Sequence, residues 1–228
     1  MPINSLAIII PVYNEQDNIQ KVLKMWLNKI QSLNLKKFKF IVINDGSTDS
    51  TLENIKKIKF KNLKIINTKN EGHGSACLTG YKFAVRKNYE WIFQIDSDGQ
   101  CNPKFFKLFI KKTKKNQIIF GYRYKRKDGL LRLFFSKILT ILIFLKTNLF
   151  IKDSNVPYRL MKSACLKKII KKFPNKLILK NILISIRLKL FFGHICYVPI
   201  VFEKRISGKT KYNLRSLFYQ LRNLLSYI

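Results

Sequence analysis

The sequence predicts an α/β domain built on a mainly parallel central sheet flanked by helices. Three observations predict it. Short apolar runs alternate with amphipathic helical stretches through residues 1–121. The early strand runs end in polar turns, most of them bearing glycine. The fourth run, Glu90-Trp91-Ile92-Phe93-Gln94-Ile95, closes in Asp96-Ser97-Asp98-Gly99-Gln100. That places two carboxylates one residue apart at a sheet's carboxyl edge, where open α/β sheets bind their ligands.

Taken in order, residues 6–12 read as a buried strand that Pro11 ends. Residues 18–33 read as a helix, because Ile19, Val22, Leu23, Trp26, Ile30 and Leu33 share one face. Residues 38–43 form a second strand. Residues 47–58 form a short helix, with Ser47, Thr48 or Asp49 as its N-cap. A third strand at 63–66, a helix at 74–86 and the acid-bearing strand at 90–95 follow. Pro103 opens another helix, as proline does at a first helical position. Residues 118–120 are a further strand. The second half reads differently, with a long, apolar, Lys-punctuated helix over 130–150 and a short strand at 156–161. Helices at 164–172 and 177–192, a strand at 195–202 and a loop at 208–212 come next. Residues 213–228 place Leu214, Leu217, Phe218, Leu221, Leu224, Leu225 and Ile228 on one helical stripe. With no internal repeat or low-complexity linker, a single domain with a divergent C-terminal half is the simplest organisation.

The 228 residues carry 45 Lys+Arg against 12 Asp+Glu, a net charge of +33. Such a field implies anionic partners: nucleic acid, phosphorylated substrates or an anionic membrane surface. Biased composition, rich in Lys, Ile and Asn, accounts for part of it. Cys77, Cys101, Cys165 and Cys196 stand far apart, which argues against a disulfide framework or a zinc cluster and for reduced cytosolic thiols. The apolar run at 6–10 is too short for a signal peptide. No uncharged run approaches the ~18 residues of a membrane span; the nearest, 133–151, is broken by Lys137, Lys146 and Asn148.

Each strand-end motif has a chemical and a purely structural reading. In Pro11-Val12-Tyr13-Asn14-Glu15, Tyr13 can stack on a base and Glu15 can accept from a base or ribose hydroxyl; alternatively Asn14 or Asp17 merely caps the next helix. In Asn44-Asp45-Gly46-Ser47-Thr48-Asp49, Asp45 can take a base N–H or ribose hydroxyl and Gly46 permits close backbone approach; a capped turn explains the same residues. Asn70-Glu71-Gly72-His73-Gly74 brings Asn70 and Gly74 to a helix N-terminus suited to phosphate or sugar, while His73 in such a turn is more often structural. Asp96 and Asp98 offer hard oxygens suited to Mg²⁺ or Mn²⁺ held together with substrate phosphates. A solvated turn is the plain alternative. Four such turns on one edge are more than a featureless αβ domain requires.

In this order and spacing the motifs Pro11-Val12-Tyr13-Asn14-Glu15, Asn44-Asp45-Gly46-Ser47-Thr48-Asp49 and Asp96-Ser97-Asp98-Gly99-Gln100 resemble those of the family 2 glycosyltransferases, and the likeness covers nearly the whole chain. The resemblance implies the glycosyltransferase-A fold, which is Rossmann-like, and a UDP- or GDP-linked nucleotide sugar as donor. Asp45 would hold the base, and Asp96, Asp98 and Gln100 would surround the metal. Two later motifs look like those of the branch containing dolichol-phosphate mannose synthases and bacterial polyprenyl-phosphate glycosyltransferases. They are Asp153-Ser154-Asn155-Val156-Pro157-Tyr158-Arg159-Leu160 and Arg205-Ile206-Ser207-Gly208-Lys209-Thr210-Lys211-Tyr212. That branch usually has Phe where Tyr158 stands and Ser where Thr210 stands. Its members transfer sugar to a lipid phosphate. Arg205, Lys209 and Lys211 are suited to clamping a diphosphate or lipid phosphate. Arg123 and Arg132 are candidates to reach an acceptor phosphate, with a plain surface role as the alternative.

The expectation is a metal-dependent, inverting glycosyltransferase acting on a polyprenyl phosphate. It has a catalytic domain at 1–212, divided at 121/122 into donor and acceptor halves, and an amphipathic C-terminal helix at 213–228. With an alcohol acceptor, Asp153 is the general-base candidate; otherwise it orders Arg159 or its own loop. The expected location is the cytoplasm, peripherally on the cytoplasmic face of a membrane, with the 130–150 helix as either core or interfacial element. The C-terminal helix serves core, membrane, a homo-oligomer or a separate membrane-anchoring partner. One rival is transfer to a saccharide or protein hydroxyl. Another is a nucleic-acid-binding protein, for which no interleaved aromatic–basic face or motif is found, so nucleic acid is not an expected partner. A catalytically dead scaffold is disfavoured by the intact acids.

Overall fold

The computed structural model describes residues 3–127, 130–171, 173–174, 177–206 and 214–228. The chain runs β1 (Ser5–Val12), α1 (Ile19–Gln31), β2 (Lys37–Asp45), α2 (Thr51–Lys56), β3 (Leu63–Thr68), α3 (His73–Arg86) and β4 (Trp91–Ile95). A 3₁₀ turn at Pro103–Phe105 leads into α4 (Phe106–Lys112). Then come β5 (Ile118–Arg126), α5 (Leu130–Thr147), β6 (Tyr158–Lys162), α6 (Ser163–Ile170), α7 (Lys180–Phe192), β7 (Cys196–Phe202) and α8 (Leu214–Leu225).

The described strands form one seven-stranded sheet in the order β3-β2-β1-β4-β6-β5-β7. β6 pairs antiparallel with both neighbours, whereas β1, β2, β3 and β4 pair in parallel and β5 pairs in parallel with β7. Strand order reverses direction between β1 and β4, so a crevice opens at their carboxyl ends. Leu6 to Ile10, Phe40 to Ile43 and Trp91 to Phe93 are all buried, as expected for strands covered on both faces. Trp26 of α1 meets Phe93, Phe106 and Tyr158 at ring-centroid distances of 5.3, 5.9 and 5.8 Å, an aromatic block beneath the acid-bearing turn.

Three local expectations are corrected. Pro11 does not end β1; it pairs with Ile43 inside the ladder, beyond Ile9↔Gln94, the last pairing with β4, so its missing N–H falls where β1 is paired on one side. α2 begins at Thr51 rather than near 47, because Ser47, Thr48 and Asp49 are bonded to the neighbouring turn. Asn14 and Asp17 do not cap α1; Asn18 precedes it. Ser207 to Asn213, including the expected loop and Lys209 and Lys211, lie outside the described residues.

A second, smaller core joins Ile143 of α5, Leu177, Ile182, Leu183 and Ile186 of α7 and its approach, and Leu224 of α8. α8 therefore docks on its own chain by at least one side chain. Ile143 is the one fully buried side chain described in α5, while Phe134 (58% exposed), Ile141 (57%) and Leu145 (74%) face outward. An ordinary core helix does not look like this. Among the described residues no helix is long and apolar enough to cross a membrane.

Candidate active site

At the β1/β4 switch lies a cleft of about 250 Å³. The end of β1 supplies Pro11, Val12, Tyr13 and Glu15; β2 supplies Asp45; the approach to α3 supplies Asn70, Gly72, His73 and Ala76. The turn after β4 supplies Asp96, Ser97 and Asp98, and Arg205 arrives from beyond β7. Eight expected residues thus converge: Pro11, Tyr13, Glu15, Asn70, Asp45, Asp96, Asp98 and Arg205.

The turns brace each other. Asn14 accepts from the Thr48 backbone N–H at 2.8 Å while its own N–H donates to Ser47 Oγ at 3.1 Å. Asp45 is buried, and its carboxylate accepts from Thr68 Oγ1 (3.1 Å), the Glu71 N–H (3.1 Å) and the Gly72 N–H (2.9 Å). A carboxylate has about four lone-pair sites, so one remains for a ligand. Asp45 both folds the 70–72 loop and fronts the cleft. Gly46 has φ +69°, and a Cβ there would meet the Asn70 nitrogen at 2.8 Å. Its close approach is to the protein's own backbone. Gly74 likewise packs against Lys180, where a Cβ would lie 3.0 Å from the lysine Cβ. Neither glycine lines the cleft. Tyr13 is 45% exposed, with its ring available for stacking.

The acid turn is held by the chain's return. The Ile206 N–H donates to the Asp98 carbonyl (3.2 Å), the Glu203 N–H donates to the Gln100 carbonyl (3.2 Å), and Cys101 bridges antiparallel to Phe202. Gly99, at φ +81°, lies where any Cβ would collide with Ile206. Gln100 is buried and its amide donates to the Glu203 carbonyl at 2.8 Å. It does not line the cleft, which corrects its expected place beside the acids: its polar end fastens the returning segment. That segment delivers Arg205, whose guanidinium donates to Glu15 Oε1 and stands 3.9 Å from Asp98 Oδ2.

The electrostatics mark the acids. Burial, then the Asp96 charge, pushes Asp98 up to about 6, against the pull of the Gln100 N–H and Arg205. Burial raises Glu15, with Asn18 and Arg205 opposing. Desolvation opposes charge on His73, though only in part, because its side chain is 48% exposed to the cleft; the Cys77 sulfur and Asp96 carboxylate outweigh it and hold the imidazole above the ordinary histidine range. Two crowded carboxylates fit a hard divalent cation. Among the described residues no cluster of three His, Cys, Asp or Glu completes a cage, so substrate oxygens and water would fill the remaining positions.

A second cavity, of about 340 Å³, opens between the end of β5 and α5, lined by Tyr122, Arg123, Leu133, Ser136, Lys137, Thr140, Ile141, Lys152 and Asp153. Arg123 Nε and Nη2 each donate to Asp153 at 2.7 Å, a bidentate pair only 9% and 6% exposed. Asp153 therefore orders Arg123, not Arg159. Arg159 is fully buried and donates to the carbonyls of Val156 (2.7 Å), Asn181 (2.9 Å) and Ser154 (2.8 Å). Lys152 sits 4.9 Å from the Tyr122 ring. The Arg132 side chain lies outside the described residues.

Sequence reasoning undervalued His73 and missed Asn181, Lys152, Ser136 and Thr140. His73 sits in a visible motif. The others come from helices and loops far along the chain, and only the fold brings them to the sheet edge.

The seven-stranded sheet and its switch-point cleft are those of a glycosyltransferase-A enzyme. The Glycosyl transferase family 2 model matches residues 7–173, and the chain belongs to that family. An uncharacterized protein of Methanocaldococcus jannaschii is 36% identical over 172 residues, covering 70% of this chain and 72% of that protein. Undecaprenyl-phosphate 4-deoxy-4-formamido-L-arabinose transferase from Salmonella choleraesuis is 24% identical over 230 residues, covering 99% of this chain and 68% of that protein. Among solved structures, glucosyl-3-phosphoglycerate synthase from Mycobacterium tuberculosis in complex with Mn²⁺, uridine diphosphate and phosphoglyceric acid aligns with TM-score 0.71 at 17% identity. That alignment covers 98% of this chain and 78% of that one. TarS from S. aureus aligns with TM-score 0.63 at 19% identity, covering 98% and 64%.

Proposed function

We propose that this glycosyltransferase moves one sugar from a nucleotide-sugar donor to a polyprenyl phosphate, with inversion and with Mg²⁺ or Mn²⁺. The observation that carries the reading is the second cavity. It sets cations (Arg123, Lys137, Lys152) and hydroxyls (Ser136, Thr140) beside apolar Leu133 and Ile141, on the outward-facing α5. A soluble sugar acceptor has no use for that greasy wall, whereas a lipid phosphate uses both chemistries. The likeness to an undecaprenyl-phosphate sugar transferase along 99% of the chain supports it.

In this reading Tyr13 stacks on the base and Asp45 accepts from it, with Asn70 at the rim. Asp96 and Asp98 would hold the cation, which would supply positive charge to offset the negative charge developing on the diphosphate. Arg205 leaves Glu15 to clamp the diphosphate, joined by Lys209 and Lys211. Arg123, oriented by Asp153, and Lys152 seat the acceptor phosphate. An acceptor oxygen forms the new bond to the anomeric carbon as the bond to the nucleoside diphosphate breaks, and the diphosphate leaves with the electron pair. The acceptor is already an anion, so no general base is needed, and Asp153 is left as Arg123's counter-ion.

The outward apolar face of α5, in a chain of net charge +33, supports peripheral attachment to the cytoplasmic face of an anionic membrane. The test offers labelled UDP- and GDP-sugars with polyprenyl phosphate, free polyprenol or soluble saccharides, with Mn²⁺ or EDTA. Product on the lipid phosphate is expected. Product on a saccharide and none on the lipid overturns the reading.

A further inference from the structure

We propose that His73 is a positioning residue for the cation-binding acids. It pins one oxygen of Asp96 so that the other faces the cleft with Asp98. This inference rests on the reading of Asp96 and Asp98 as metal ligands.

His73 is bonded at both ring nitrogens. Nε2 lies 2.8 Å from Asp96 Oδ1, and the Asn181 side-chain amide lies 3.1 Å from Nδ1. An ionised carboxylate only accepts, so the Nε2 that faces Asp96 Oδ1 carries a proton and donates it. The chain Asn181–His73–Asp96 therefore joins three elements: α7, the first turn of α3 and the edge of β4. The backbone is set for it. Gly72 takes φ +88° on entry to α3, and Gly74 allows the helix to press against Lys180 and the Ile178 carbonyl.

The ring itself is not core filling. It is 48% exposed and lines the cleft. A carboxylate tied at one oxygen has lost its rotational freedom before the cation arrives, so the cation binds an oriented ligand. Hydrogen-bonded partners of metal ligands act in this way, and their loss lowers metal affinity by roughly 10–100-fold.

The test is Mn²⁺ binding, read from the electron paramagnetic resonance signal of free Mn²⁺, on the whole protein with UDP and, separately, GDP. His73→Ala should bind Mn²⁺ roughly 10–100-fold more weakly with an unchanged melting temperature. His73→Gln, which keeps an N–H donor, should recover most of the affinity. Asn181→Ala should weaken binding by less, since the ring loses only its anchor. Mn²⁺ affinity in His73→Ala equal to the unmodified protein's overturns the proposal, as does failure of His73→Gln to recover any affinity. Asp98→Asn separates the two claims. If it abolishes Mn²⁺ binding while His73→Ala does not weaken it, the positioning role alone fails. If Asp98→Asn binds Mn²⁺ normally, the metal assignment itself fails.

Discussion

The acid pair concentrates negative charge at the cleft, with His73 against Asp96 and Arg205 near Asp98, and its behaviour follows from that. Asp98→Asn should abolish transfer and metal-dependent nucleotide binding while leaving circular dichroism unchanged; full activity of this variant, or of the native protein in EDTA, removes the metal from the mechanism. Titration of Asp98 gives the pH profile. Its folded pKa of about 6 lies above the ordinary carboxylate value of 3.8, so the folded state binds a proton more tightly than the unfolded one. Its contribution to metal-free stability is therefore present at low pH and lost as pH rises through about 4 to 6. Cation binding has the opposite slope, because the ligand must be ionised, and Mn²⁺ affinity should fall as pH drops below about 6. Calorimetric titrations at pH 5 and 7.5 check this; equal affinities contradict it. Asp45 serves two masters, since the same carboxylate closes the 70–72 loop. Asp45→Ala should weaken nucleotide binding by about 1–3 kcal/mol and also lower the melting temperature; an unchanged affinity assigns it to the loop alone.

At the scale of elements, α5 and α7 are both apolar in sequence and opposite in use. α7 buries Ile182, Leu183, Ile184, Ile186 and Leu188, whereas α5 leaves Phe134, Ile141 and Leu145 outside. Ile141→Glu with Leu145→Glu should leave the fold intact and cut co-sedimentation with anionic liposomes severalfold; undiminished binding removes α5 from the membrane. The strands and the four turns of the donor side were legible in the sequence, because periodicity and punctuation are local signals. Tyr13, Glu15, Asp45, Asp96 and Asp98 could be found this way. What was not legible depends on contacts distant in the chain. Gly46 and Gly74 look like ligand-approach glycines until Asn70 and Lys180 are seen against them. Gln100 looks like part of the acid motif until Glu203 takes its amide. Asp153 looks like a general base, or a partner for Arg159 or its own loop, until the fold sets Arg123, thirty residues earlier, against it. Arg159 instead donates to three buried carbonyls, of which those of Ser154 and Asn181 also lie within reach of Ser185 Oγ, and Arg159→Leu, which removes all three guanidinium bonds, should destabilise the protein by about 3 kcal/mol or more in urea titrations.

For the molecule as a whole, net charge of +33 makes association with an anionic bilayer strongly dependent on salt. Binding to phosphatidylserine-containing liposomes should be near complete at low ionic strength and largely released by about 1 M salt, where the screening length is about 3 Å. A protein that ignores such liposomes at low salt favours a soluble acceptor. The strand order carries a different consequence, for biosynthesis. β6 lies between β4 and β5, although the chain makes β5 first. Until residues 158–162 are made, Trp91 to Ile95 has no partner on that side and Ile118 to Phe120 has none between itself and β4. The two halves on either side of residue 121 are therefore not separate units in the order in which the ribosome releases them. A nascent chain stopped at residue 150 would carry an apolar open edge, the form most prone to pair with its own copies. The joining of β4 to β5 therefore waits on a five-residue strand near the middle of the second half, and a premature stop before it should yield aggregate rather than a folded fragment of the first five strands.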